Sequence, residues 1–581
     1  MATQAAQAVQ TIGNKGSDVY ATAADPRVDL SVKSVRNAPA LEIRSGIAAI
    51  LGLGTQEALE DAYVMAFHTR NVRGGKGERD LFAAMFEELH AQDKELAEEL
   101  MDLIPHYGCW DDMYRMLAEN AGLKNKVIDL TVKQLREDRS VIDSSEEKGI
   151  SLCAKWAPRE TKMPVFAQEI ATKLFPTLNL HSAKMRAYRK YVSLLNARVK
   201  PVETYMCDNR WQEIKPETVP GRAGKIYNRA FLNLASTYGN KRPGNILRLP
   251  EDEERMLCRK HFEEHYAKAA RGEAKVHGAD TLFPHEVVKK ASLGEHLTEE
   301  EKNHLRGVWR SMVEKARSLG GLGKSIMMSD FSGSMQMSSA GDTPYWVSMA
   351  IGILGAEVCA DDFKEKLMTF DSTPKWHTLN KDDDIIKHVD GIIKSRVGQG
   401  TSTDFQAAMD LVLKTLKEKR VKPGQEPENL IVLTDMNWDQ ASSSSDYGVY
   451  TGNRYRHHVK TESWQTHVEM IRESFKRAGE DMWGTPWAMP RIVIWNLSAS
   501  AKTDFHAKAD TPGVVMLSGW SPTQFEVLMK EGPRQITPYE MLRLELDDAK
   551  YDKVRERIRA HQASLTSTEA TPTKLTAGVS V

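Results

Sequence analysis

Long apolar runs are missing from this 581-residue chain, and no stretch approaches the ~18 consecutive apolar residues that a membrane-spanning helix needs. Cysteine is scarce and unpatterned. The five thiols, Cys109, Cys153, Cys207, Cys258 and Cys359, contain no C-x-x-C pair, which argues against a disulfide framework or a zinc site and fits a reducing compartment. An excess of either charge is missing too: 79 basic residues stand against 80 acidic ones, so any nucleic-acid surface has to be a local patch. The segment Met1 to Gly16 lacks the basic start and apolar core of a secretory signal. These absences together predict a cytoplasmic protein with no membrane partner.

What is present is more chain than one core can use, so two or three domains are expected. Residues 1–40 are small and polar at first and read as a flexible N-terminus. From 41 to 320 apolar residues recur at three- and four-residue spacing, with short amphipathic candidates at Glu57 to Phe67, Arg79 to His90, Glu95 to Leu103 and Asp111 to Glu119. Antiparallel helix pairs stacked as a solenoid explain this, and so does a compact bundle, since no strict period is found. From 324 to 546 strand-like runs alternate with helices. Ser325–Ser329, Lys366–Phe370, Leu430–Thr434, Arg491–Leu497 and Val514–Leu517 read as strands of a parallel sheet covered on both faces. The stretch 442–458 reads as a surface insertion, and 547–581 as a helix end with a tail disordered beyond Arg559.

The most informative segment is Asp330-Phe331-Ser332-Gly333-Ser334, directly after the first of those strands. An acid and two hydroxyls at alternate positions on a strand-to-helix turn can aim hard oxygens at one point, which suits Mg²⁺ or another divalent cation. A second acid, Asp435, ends the run Leu430 to Thr434, and Thr403 opens the helix beginning at Phe405. In an open parallel sheet all three lie at the carboxyl edge, where ligands bind. The proposed ligand set is Asp330, Ser332, Ser334, Thr403 and Asp435, with Thr401 competing for the threonine position. A partner's carboxylate or phosphate would complete the sphere. The bland alternative is that these acids merely cap helices.

Between Ile170 and Val202 there is no acid. On a helix from Ser182 to Ala197, Arg186, Arg189 and Lys190 share one face beside Lys184, with Tyr188 and Tyr191 interleaved. Such a stripe can neutralise phosphates while tyrosines stack on bases, although a solvated basic face explains the charges equally well. Arg73 and Lys76, in the turn Val72-Arg73-Gly74-Gly75-Lys76-Gly77, are further candidates, with the glycines permitting close approach to a phosphate. That turn lacks the G-x-x-x-x-G-K-[ST] order of a phosphate loop. Trp110, Trp156 and Trp211 read as packing anchors, and His285 as a helix cap. No nucleophile with its base stands out, so the chain is expected not to be an enzyme.

The order D-x-S-x-S, T-D, strand-T-D resembles the metal-ion-dependent adhesion site of von Willebrand factor A domains. More of the chain resembles the plant, viral and microbial proteins related to the TROVE-module Ro ribonucleoproteins. The matching stretches are Asn71 to Arg79, His106-Tyr107-Gly108-Cys109-Trp110-Asp111-Asp112, Lys155-Trp156-Ala157-Pro158, Tyr188-Arg189-Lys190 and Pro284-His285-Glu286. They continue as Thr403-Asp404-Phe405-Gln406, Asp435 to Ala441, Trp495-Asn496-Leu497 and Ser518-Gly519-Trp520-Ser521-Pro522. The resemblance runs from about residue 40 to 545. It implies an α plus α/β multidomain protein, with a HEAT-like or TROVE-like helical repeat module followed by a doubly wound von Willebrand A-type domain. It also implies that the helical module binds small or misfolded RNA, and that the metal site recruits a protein partner's acidic group.

Overall fold

The structure is a computed structural model that describes residues 10–12, 18–117, 121–144, 148–235, 245–336, 342–360, 363–371, 373–395, 404–436, 464–499, 505–530 and 536–569. The chain divides into two compact units, and each is discontinuous in sequence. One comprises Met1–Pro39, Arg73–Lys76 and Lys200–Arg543; the other comprises Ala40–Val72, Gly77–Val199 and Leu544–Val581.

The first unit is built on a sheet. After a short antiparallel pair, β1 (Gln10–Ile12) and β2 (Asp18–Tyr20), come β3 (Ser325–Ser329), β4 (Lys366–Thr369), β5 (Trp376–Thr378), β6 (Asn429–Thr434), β7 (Arg491–Asn496) and β8 (Val514–Ser518). Their spatial order is β5-β4-β3-β6-β7-β8. All pairings are parallel except β4 with β5. The sheet is therefore mixed, where the sequence predicted a wholly parallel one. β5 escaped notice because it is three residues long and only partly buried, as edge strands are. Strands β3 and β7, inside the sheet, and β8, at its other edge, are buried throughout, which is why they read as unbroken apolar runs.

From β3 the chain moves first to β4 on one side, then returns to β6 on the other. The right-handed rule for crossovers between parallel strands assigns the helices Pro344–Val358 and Trp464–Trp483, which follow strands whose connections run in opposite directions, to opposite faces. Helix Pro344–Val358 approaches β3 closely because Gly352 has no side chain; a Cβ there would collide with Ser329 Oγ and Leu367.

The helices of residues 200–320 belong to this sheet unit, not to the helical module in which the sequence pattern placed them. Val287, Val288, Trp309, Met312 and Val313 share one core with Met327, Ile351 and Ile431. Periodicity reveals that a helix has an apolar face but not what covers it. A satellite core around Trp211, Phe231 and Phe262 packs beside it, the two phenylalanine rings stacked 4.4 Å apart.

The supposedly flexible N-terminus is ordered over much of its length. Helix Pro26–Lys33 is capped by Asp25 and buries Val28, Leu30 and Val32. The alternation of those residues does not carry a helical period, so the element was illegible. The helical unit contains Ala40–Leu51, Gln56–Arg70, Arg79–Gln92, Lys94–Leu100, Trp110–Leu117, Ala121–Asp143, Pro164–Leu174 and His181–Val199. A final helix, Asp552–Glu569, returns to it and runs ten residues past Arg559, where a disordered tail was expected.

Candidate functional site

The connections leaving β3 and β6 run in opposite directions, so the crevice beyond their carboxyl ends is the switch point of the sheet. Ser329 of β3 pairs with Leu433 of β6, which sets Asp330 beside Thr434 and brings Asp435 to the same edge. Asp330 is completely buried and Asp435 is 3% exposed. The Asp330 carboxylate accepts the Ser332 N–H at 2.8 Å and the Thr434 hydroxyl at 3.4 Å. The turn Gly333–Gln336 brings Ser334 round so that its hydroxyl lies 3.0 Å from that of Ser332.

Adjacent corners of an octahedron with bonds of about 2.0–2.1 Å are about 3.0 Å apart, so the serine spacing suits two neighbouring Mg²⁺ ligands. The first of those acceptor contacts also gives Asp330 an ordinary role in the turn, two residues along its own backbone. Thr403, with its competitor Thr401, lies outside the described residues. Among the described residues no group of three or more His, Cys, Asp or Glu side chains could share a metal ion, so this candidate depends on hydroxyls as well as carboxylates.

The basic candidates separate sharply. Helix His181–Val199 forms as expected and exposes Arg186, Arg189 and Lys190, with Lys184 half-buried. Arg189 is ion-paired with Glu160. The tyrosines are not base platforms: Tyr188 is buried and donates to the Pro158 carbonyl at 2.9 Å, and Tyr191 donates to the Leu135 carbonyl at 3.1 Å. Tyrosines spaced among surface cations here anchor the helix instead. Of the three tryptophans, Trp110 and Trp211 are buried, as packing anchors should be, and Trp156 is half-buried.

Arg73 is exposed, but Lys76 is not the phosphate contact that its glycine-rich turn suggested. It is 2% exposed, and its ammonium donates to the Ser31 carbonyl at 2.7 Å, the Ser34 carbonyl at 3.3 Å and the Ser518 hydroxyl at 2.6 Å. Two of those acceptors end helix Pro26–Lys33, where unpaired carbonyls favour a cation.

Several quoted stretches prove to be structural locks. In the helical unit Asp112 receives Arg70 Nε at 2.6 Å, Arg79 Nε at 2.7 Å and the Cys109 N–H at 2.8 Å, while Arg79 Nη1 donates to Asp111 at 3.0 Å. Burial, with Asp112 beside it, pushes the Cys109 thiol up. In the sheet unit the Trp495 indole N–H donates to the Gly519 carbonyl at 2.8 Å, Asn496 to the Val32 carbonyl at 2.9 Å, and Trp520 to the Leu497 carbonyl at 2.8 Å. His285 is no simple cap: it is 1% exposed, sets its ring edge-on to Trp520 and has no hydrogen bond from either ring nitrogen among the described residues.

The molecule thus has an α-helical unit and an α/β unit with a six-stranded mixed sheet. Two family models match it, each described as a domain of unknown function: DUF7788 over residues 324–573 and DUF2828 over residues 91–237. An uncharacterised protein, L728, of Acanthamoeba polyphaga mimivirus is 24% identical over 549 residues, covering 91% of this chain and 85% of that protein. The crystal structure of the Ro (RSR) protein of Deinococcus radiodurans gives a TM-score of 0.38 at 12% identity, covering 82% of this chain and 92% of that one. A likeness at that score carries no argument about this chain. Among the described residues no helix is long and apolar enough to cross a membrane.

Proposed function

We propose that this protein is a non-catalytic scaffold whose sheet unit is a von Willebrand A-type module, holding Mg²⁺ or a similar divalent cation and recruiting an acidic group of a protein partner. The observation that carries the reading is the pair of serine hydroxyls 3.0 Å apart beside buried Asp330 at the switch point. Ser332 and Ser334 would bind the ion directly, with Asp330 and Asp435 binding directly or through water. The ion would supply the positive charge that a partner's carboxylate needs. Titrating the full chain with Mn²⁺ tests this: wild type should bind about one equivalent, and Asp330→Ala should bind at least ~10-fold more weakly. Equal binding by both proteins sinks the assignment. Turnover of a phosphoester that disappears with Asp330→Ala would make the site catalytic instead.

A second role, RNA binding by the helical unit, is favoured by the exposure of Arg186, Arg189 and Lys190 on one helix. Each phosphate contact on a single strand adds about 0.7 to the slope of log affinity against log salt. Replacing all three cations by glutamine should therefore make that slope shallower by about 2. An unchanged slope leaves a cation-dependent adaptor with no RNA role on this face.

A further inference from the structure

We propose that His506 is a positioning residue for Asp435, fixing that acid at the candidate cation site through the strained backbone of Met436. The inference rests on the reading of the site given above and extends it to residues outside the oxygen set. Met436 follows Asp435 directly and has φ 67°, in the left-handed region. That conformation is unfavourable for a non-glycine residue and persists only where its surroundings enforce it.

Here both backbone polar groups of Met436 are tied. Its N–H donates to the Thr434 hydroxyl at 3.2 Å, and its carbonyl faces His506 Nε2 at 3.0 Å. Its side chain is 1% exposed, so the residue cannot swing outward. Thr434 is fixed in turn, its carbonyl accepting the Leu497 N–H at 2.9 Å. His506 is fixed from the other direction: the neighbouring Phe505 exchanges backbone hydrogen bonds of 2.8 and 3.1 Å with Tyr20. Burial holds the His506 pKa down at about 4, so the ring is neutral at ordinary pH and carries a proton on Nε2 toward the carbonyl. Asp435 therefore sits between a strand end and a residue clamped at both its N–H and its C=O. Rotating its backbone requires breaking one of those bonds. A carboxylate free to turn would lose affinity for a small, geometrically demanding ion.

The test is the Mn²⁺ affinity of the full chain, read by electron paramagnetic resonance of the free ion, with far-UV circular dichroism as the check on folding. His506→Leu removes the hydrogen bond and should raise Kd by about 10-fold or more, whereas His506→Gln, whose amide can donate to the same carbonyl, should stay within about threefold of wild type. Because leucine at a fully buried position can compromise folding, Met436→Gly is the second variant. Glycine adopts the left-handed conformation without strain. It keeps the left-handed turn accessible while loosening Asp435, its folding is checked by the same circular dichroism, and it should weaken Mn²⁺ binding by a similar factor. A folded Met436→Gly protein with wild-type affinity overturns the proposal. Equal loss in His506→Gln and His506→Leu overturns it too, because the hydrogen bond would not be the carrier. Failure of wild type itself to bind Mn²⁺ removes the cation site, and this inference with it.

Discussion

A methyl group on Gly108 would fall on Asp112 Oδ2 and on the Arg70 guanidinium. Gly108→Ala is therefore expected to cost about 3–5 kcal/mol, as breaking a buried ion pair does, seen as earlier melting of the helical unit in urea. In the sheet unit two buried histidines set an acid limit. Burial, with Arg36 adding to it, holds His285 at about 3, and burial, with Lys290 and His265 adding, holds His304 at about 3. Both pKa values are depressed below the unfolded value of about 6.5, so the unfolded chain binds protons first. The stability they contribute is whole above pH 6.5 and falls as pH drops toward 3. Each should remove about 1.4 kcal/mol per pH unit in that window. Urea midpoints between pH 7 and 4 measure this, and His304→Gln should flatten the profile. Lys76 shows why side-chain roles are hard to read at this scale. Its acceptors lie 42, 45 and 442 residues away in sequence, so nothing local distinguishes a buried cap from a surface cation.

Elements were legible where one physical pattern dominated. β3 and helix Phe405–Glu418 fall where the sequence put them, because a continuous apolar run and an acid-capped amphipathic run each admit one reading. β5 and helix Pro26–Lys33 were missed because neither length nor period marks them. The candidate site was readable in the same partial way: strand ends announce where acids converge, but the clamp on Met436 comes from a segment with no motif. Helix His181–Val199 yields a further expectation. Arg189 is engaged by Glu160, so Glu160→Gln should release it and tighten RNA binding about two- to threefold at low salt, as an exposed ion pair of ~0.5 kcal/mol implies. Fluorescence anisotropy with a labelled single strand reads this directly, and unchanged affinity would mean that Arg189 lies off the interface.

For the molecule as a whole, the helical unit is closed by its last segment. Tyr551 is fully buried; its hydroxyl lies 2.9 Å from His68 Nδ1 and its ring stacks on Tyr107 at 5.6 Å. Arg559 adds a two-pronged contact to Glu60, at 2.8 and 2.7 Å. Truncation after Arg543 should therefore expose Phe67 and Tyr107, and amides of helix Gln56–Arg70 should lose protection in hydrogen exchange. Retained protection would show that residues 40–199 stand alone. The interleaving of the two units has a consequence during translation. When Val199 leaves the ribosome, the helices already made still lack their closing strand of chain, and about 340 residues must follow before it appears. At bacterial to eukaryotic elongation speeds that is a wait of roughly 20–70 s. Through that interval the nascent protein carries an open apolar seam, an occasion for chaperone capture that no finished copy would display.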